Sequence, residues 1–240
     1  MRQFAFAGLC APFLLAFLSL TPAHASVVYT ASGAPVTGIN DSAKATFTLG
    51  AGTITVTLDE LSQYSGQSDV GLLSGISFVV GPAVSGTTLS SYTYSGLASL
   101  SSSGTVTSTT DPGSATHWGT TVSGGTVYLA TVGTGAAGAQ PYDLIIGPNS
   151  SGNFSSSYGS VSHSVINHLP VVLGEATFVI SAPGVTSTTT ISDMVFNFGT
   201  ESGQTLTGKL VPSPEPASMV VLASGLLGMG VFARRKTRAR

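Results

Sequence analysis

Asp59 and Glu60, with Asp69 further on, are of the residue type that can cleave a glycosidic bond as an acid and base pair. Neighbours on a strand point to opposite faces, so solvated turn acids are the favoured reading. Histidine is scarce: His117, His163 and His168 are the whole supply for catalysis or metal binding beyond the leader, where His24 falls. His163 and His168 would need a third ligand, such as Glu175 or His117, to hold a catalytic zinc. Solvated loop histidines are the simpler reading. Serines are abundant, but none sits in a G-x-S-x-G elbow with a strand before it and a helix after it. No D-x-[DN]-x-[DN]-G loop occurs, although Asp41, Asp111, Asp143 and Asp193 near turns could give oxygen ligands to an irregular calcium site. The glycines punctuate strands and open no phosphate-binding helix. The expectation is a body with no catalytic residues, no metal and no cofactor.

For binding, Trp118 is the single tryptophan and follows His117 in a polar stretch, where an exposed indole could stack on a sugar ring. Tyr92, Tyr94, Tyr128 and Tyr158 could assist. A tryptophan plugging one end of the core is the simpler reading. Two threonine files, Thr53, Thr55, Thr57 and Thr186, Thr188, Thr190, would present regular hydroxyls, as flat ice- or glycan-contacting surfaces do. In a threonine-rich β-protein such files are more often solvated strand faces.

The elements that must position these groups have period two. Phe47 and Leu49 alternate with threonines, and after Gly50-Ala51-Gly52 the run Thr53–Leu58 alternates again, which predicts a hairpin. Residues 76–80, 91–94, 126–131, 144–146, 176–180, 186–191 and 194–198 read as further short strands, and Met194, Phe196 and Phe198 share one face. Turn clusters such as Ser123-Gly124-Gly125 and Ala182-Pro183-Gly184 separate them. The expected fold is all-β, a sandwich of two antiparallel sheets, jelly-roll-like or immunoglobulin-like, over residues 26–201. Residues 99–113 and 149–162 read as surface loops, and 202–213 as a linker.

Charge is distributed unevenly. Residues 26–213 carry Lys44 and Lys209 against nine acidic residues, a formal charge of −7, while the whole chain of 240 residues carries −2. A body with two lysines and no arginine offers no basic stripe for phosphates, so nucleic acid is excluded as an expected partner.

Both ends look like addresses. Arg2, an apolar run around residues 13–18 and the small-residue site Ala23-His24-Ala25 form a secretory signal peptide over residues 1–25, cut by signal peptidase after Ala25. Cys10 lies within that apolar run, so removal of the signal leaves a chain with no thiol or disulfide. At the other end, Pro212, Pro214 and Pro216 hold the residues around Glu215 extended. The apolar run 217–233 gives a helix of roughly 26 Å at about 1.5 Å per residue, just enough for a hydrocarbon core of about 30 Å. Arg234, Arg235, Lys236, Arg238 and Arg240 follow, a cluster that stays on the cytoplasmic side of an inner membrane.

This order of parts over residues 214–240 resembles the PEP-CTERM sorting signal of Gram-negative bacteria, with Pro214, Glu215 and Pro216 as its motif. The resemblance implies recognition by an exosortase, removal of the tail and delivery to the cell surface or the extracellular polysaccharide matrix. An ordinary C-terminal anchor with a proline-rich stalk is the alternative. The expected function is that of a non-enzymatic surface or matrix protein associated with exopolysaccharide or biofilm; a secreted glycan-acting enzyme and a threonine-face ice or surface binder are the alternatives.

Overall fold

The computed structural model describes residues 26–36, 39–64, 71–109, 117–138, 141–154, 157–201 and 203–212. The signal peptide expected over residues 1–25 with Ala23 and Ala25, the Pro214-Glu215-Pro216 motif, the helix expected over 217–233 and the basic tail from Arg234 to Arg240 lie outside the described residues, as do Asp69 and Asp111. Among the described residues, no helix is long and apolar enough to cross a membrane.

The molecule is all-β. The first sheet contains β1 (Ser26–Val36), β2 (Ile39–Gly50), β3 (Thr53–Glu60), β5 (Thr88–Tyr94), β12 (Glu175–Ser181) and β15 (Lys209–Val211), in the order β15-β1-β2-β3-β12-β5. The second is built on β4 (Leu73–Gly81), β13 (Thr190–Phe198) and β14 (Thr205–Thr207), continuing through β10 (Ile145–Ile146), β11 (Val171–Leu173), β6 (Leu97–Leu100) and β7 (Val106–Thr109). The hairpin of β8 (Gly119–Ser123) and β9 (Thr126–Ala130) joins it through β9 on β4.

The expected hairpin is β2–β3: Gly50 faces Thr53 in the register, and Gly52 adopts φ +72° in the two-residue turn between them. Alternation then sorts the side chains. Ala43, Ala45, Phe47 and Leu49 of β2 and Ile54, Val56 and Leu58 of β3 all face inward and are buried. From the second sheet Ile76, Phe78, Phe196 and Phe198 complete the same core. Phe47 meets Phe78 edge-on, their ring centroids 5.0 Å apart. Neighbouring residues on strands of the second sheet feed different clusters. Ile145 and Val172 enter the shared core, while Ile146 and Val171 join Leu72, Leu100, Leu144 and Val165 in a second cluster.

Four expectations are corrected. The second sheet is mixed rather than wholly antiparallel, because β10 pairs β11 in parallel; the long crossover 147–170 between them leaves the chain room to return in the same direction. Residues 99–113, read as a loop, contain the end of β6 and all of β7, which carry too few apolar residues to show alternation. Residues 186–191 and 194–198 are not two strands: one strand, β13, begins at Thr190. Within the stretch 202–213, read as a linker, the described residues include two paired strands, β14 on β13 in one sheet and β15 on β1 in the other. Ladder hydrogen bonds hold it, and these leave little trace in a stretch whose side chains are mostly exposed.

Candidate functional site

The period-two file of β3 does not stop at Leu58. It continues through Glu60, which is 2% exposed on the core side of the strand, while Asp59 points to the other face. Asp41 precedes Ala43 on the inward file of β2 and is also 2% exposed. The registers Lys44↔Asp59 and Asp59↔Glu175 place a lysine and two carboxylates side by side on β2, β3 and β12. Lys44 Nζ lies 2.9 Å from Asp59 Oδ2. Where β3 ends and β12 begins, Asp59, Glu60 and Glu175 line a cleft of about 520 Å³, walled on the other side by Leu61, Pro148 and Phe154.

Gly174 sets the shape of this cleft. It carries the chain from β11 in one sheet to β12 in the other with φ +76°, and its amide donates to Ile146 O at 2.9 Å while its carbonyl accepts from Glu60 N at 3.0 Å. The Phe154 ring rests where a side chain would stand, its nearest carbon 2.7 Å from an added Cβ. Gly174→Ala is therefore expected to cost about 1–3 kcal/mol from left-handed strain and overpacking, and to push Phe154 off the cleft wall. Urea unfolding together with quenching or shift of the Phe154 ring resonances reads both effects.

Electrostatics follow from burial and crowding of like charges. Burial pushes the Asp41 carboxyl up to about 6. Burial also holds Glu60 well above the usual carboxylate range, and the Asp41 charge adds to it; the Ser62 amide, donating to Glu60 Oε1 at 2.9 Å, offsets part of this. Glu175 is raised by burial first, then by sharing a proton with Asp59 and by its charge, with Lys44 pulling the other way. Asp41 Oδ2 and Glu60 Oε2 are buried with no hydrogen-bond partner. The favoured sequence reading, solvated turn acids, is thus corrected for Glu60. Strand alternation forces one of two adjacent acids inward, and the inward file of β3 could have identified it.

Trp118 is 1% exposed and packs on Phe178 at a centroid distance of 4.7 Å, its Nε1 donating to Asp143 O at 2.8 Å. Its indole faces are committed to the core, so stacking on an exposed sugar is corrected to the plugging role. A groove of about 400 Å³ between β5 and β8, edged by Thr87 and Thr120, passes over it. Tyr158 is also buried and donates to Gly147 O at 3.0 Å, and Tyr92 and Tyr94 pack on each other at 5.0 Å.

His117 and His168 both pack on the Tyr142 ring, His117 at a centroid distance of 4.7 Å. His117 Nδ1 lies 3.1 Å from Asp143 Oδ2, tying the start of β8 to the segment before β10. His163 opens the short helix α1 (His163–Ile166), and His168 meets the Tyr142 ring edge-on at 6.5 Å. Among the described residues, no three His, Cys, Asp or Glu side chains are grouped so as to hold a metal ion.

The threonine files divide. Thr53, Thr55 and Thr57 lie on the outer face of the first sheet, in register with Thr46 and Thr48 of β2 and with Thr177 of β12, whose hydroxyl is 2.8 Å from that of Thr57. Thr186 and Thr188 instead bond each other at 3.0 Å in the turn before β13, and only Thr190 is in a strand.

No protein-family model matches the chain, and comparison with curated proteins and with solved structures finds no match.

Proposed function

We propose that the chain is an exported, non-enzymatic surface or extracellular-matrix protein, sorted and trimmed by an exosortase at Pro214-Glu215-Pro216 and associated with exopolysaccharide. Signal peptidase removes residues 1–25, and the segment 217–233 with its basic tail holds the chain in the inner membrane until processing. The observation that carries this reading is the order of parts at the C-terminus: a proline-rich motif, an apolar run and an arginine-rich end. Two facing sheets suit such a body, as a sandwich of the jelly-roll-like or immunoglobulin-like kind.

The last strand sharpens the reading. With β15 ending at Val211, the motif begins three residues on, within roughly 10 Å of chain at about 3.5 Å per residue. The folded body must then sit close to the membrane when the tail is cut. Replacing Pro214, Glu215 and Pro216 by alanine in the full chain tests the proposal. The expected result is protein retained in the membrane fraction and lost from the matrix; a variant that still reaches the matrix, cut to the same mass, overturns it.

A second reading, a secreted glycan-acting enzyme, is favoured by the carboxylate-lined cleft. Against it, Asp59, which stands beside Glu175 in the β3–β12 register, is already held by Lys44 at 2.9 Å. A surface binder using the hydroxyls of Thr46, Thr48, Thr55 and Thr57 is supported by their common face, though Lys44, Asp59 and Glu175 interrupt it at one end.

A further inference from the structure

We infer that Lys44, Asp59 and Glu175 form a modification site, in which the Lys44 amine condenses with the Asp59 carboxyl to an intramolecular amide and Glu175 carries the proton. The bond staples β2 to β3. It belongs to the body alone and does not depend on how the tail is processed.

Register is the first support. Lys44 stands opposite Asp59 across β2–β3, and Asp59 opposite Glu175 across β3–β12, so the three share one cross-strand row on the outer face of the first sheet. Opposite residues of an antiparallel pair have Cβ atoms about 4.5–5.5 Å apart, a span that an amide between a lysine stem and an aspartate covers. Lys44 Nζ lies 2.9 Å from Asp59 Oδ2, an oxygen sealed from solvent. The two are within bonding distance yet form no aligned hydrogen bond. The amine thus stands beside the carboxyl group without being tied to one of its lone pairs.

The third residue separates this row from an ordinary ion pair. Partial burial, then a hydrogen bond to Asp59 and the Asp59 charge, raise the Glu175 carboxyl, so it keeps its proton to higher pH than a free glutamate. A protonated acid against Asp59 polarises that carboxyl for attack and can protonate the departing oxygen.

The step balances. A proton passes from the Lys44 ammonium to the Asp59 carboxylate, leaving a neutral amine and a carboxylic acid. The amine lone pair attacks Asp59 Cγ, and a C–O bond breaks as Glu175 gives its proton to the leaving oxygen, which departs as water. Glu175 then takes back the proton lost by the nitrogen. The net change is ammonium plus carboxylate to amide plus one water, with no electrons transferred. Free amines and carboxylates do not condense in neutral water, but groups held in contact reach effective molarities of about 10⁵–10⁸ M. The Lys44 and Asp59 side chains are 38% and 16% exposed, so the carbon under attack is the more enclosed partner. Loss of Cys10 with the leader leaves the body without a disulfide, and an amide is a cross-link that its remaining residues can make.

Tryptic mapping of the native protein, freshly purified from its producing cells and denatured, tests this. Residues 26–213 contain two trypsin sites, Lys44 and Lys209. Lys209 faces Thr30 across β1–β15, with no carboxyl opposite, and is the internal control. The expected result is cutting at Lys209 and none at Lys44, in a fragment lighter than its sequence by one water. Glu175→Gln should slow the condensation about a hundredfold or more, the usual worth of a general acid, so that Lys44 is cut and the mass is restored. Lys44→Arg keeps the ion pair and should also show the full mass. The native map decides the bond even if Glu175→Gln fails to fold. Lys44 cut as readily as Lys209, with the mass undiminished, overturns the inference and leaves an ion pair. A missing water that persists undiminished in Glu175→Gln or in Lys44→Arg overturns it too, because the amide or its acid then lies elsewhere. Each of these failures leaves the sorting proposal standing, since the ends of the mature chain are read separately in the same map.

Discussion

Trp118→Ala is expected to lower the stability of the body by about 3–5 kcal/mol, the usual cost of emptying a large aromatic site in a core. The indole is 1% exposed and lies on Phe178, itself fully buried on the inner face of β12. Truncation would open a cavity where the β8–β9 hairpin packs on the first sheet and would strip Asp143 O of its donor. Trp118→Phe separates these terms: it keeps most of the apolar volume and loses the hydrogen bond, for a cost of about 1–2 kcal/mol. Urea midpoints of the two variants check the order. A loss below about 1 kcal/mol for Trp118→Ala would mean that the indole is solvent-facing and free for a ligand, contrary to the packing described.

The second large effect is a loss of stability as the solution is made less acidic. Asp41, Glu60 and Glu175 all have carboxyls raised above their ordinary values, so the folded chain holds protons that the unfolded chain has released. Stability falls with rising pH wherever the folded state binds more protons. The contribution is fully present below the unfolded values, 3.8 for Asp41 and 4.5 for the glutamates, and for Asp41 it is lost as pH passes through about 6. For Asp41 alone this amounts to something on the order of 2 kcal/mol once partial screening by solvent is allowed for. Denaturant unfolding at about pH 4.5 and about pH 7.5 should show the protein more stable at the lower value, and Asp41→Asn should flatten the difference. Stability that rises across the same window would contradict the assignment of Asp41 and Glu60 as buried carboxyls without a compensating cation.

Most of the all-β character was legible because it is carried by alternation on the chain itself. Thr53–Leu58 showed its buried file as Ile54, Val56 and Leu58, and Met194, Phe196 and Phe198 showed theirs; all six are buried in the structure. What alternation could not carry was pairing between distant strands. That Asp59 stands beside Glu175 follows only from the β3–β12 register, which joins residues more than a hundred positions apart. β14 and β15 leave no alternation signal for a related reason: each is three residues long, and their place is set by hydrogen bonds to β13 and β1 rather than by a buried face. Glu60 is different, since its inward direction was already implied by the file that ends on it. A polar residue at the end of an apolar file reads as the start of a turn, yet Glu60 is buried beside a cleft. Trp118 carried no local signal either way; the stacking partner Phe178 and the acceptor Asp143 O are both supplied from other parts of the chain.

The most direct test of the central claim is the intact mass and the cellular location of the native protein in a host with its exosortase and in the same host without it. The account predicts a mature species that begins at Ser26, ends near Pro214 and is found in the matrix when the enzyme is present, against a longer, membrane-held species when it is absent. A full-length, membrane-held product in both hosts would contradict it and would make the tail an ordinary anchor.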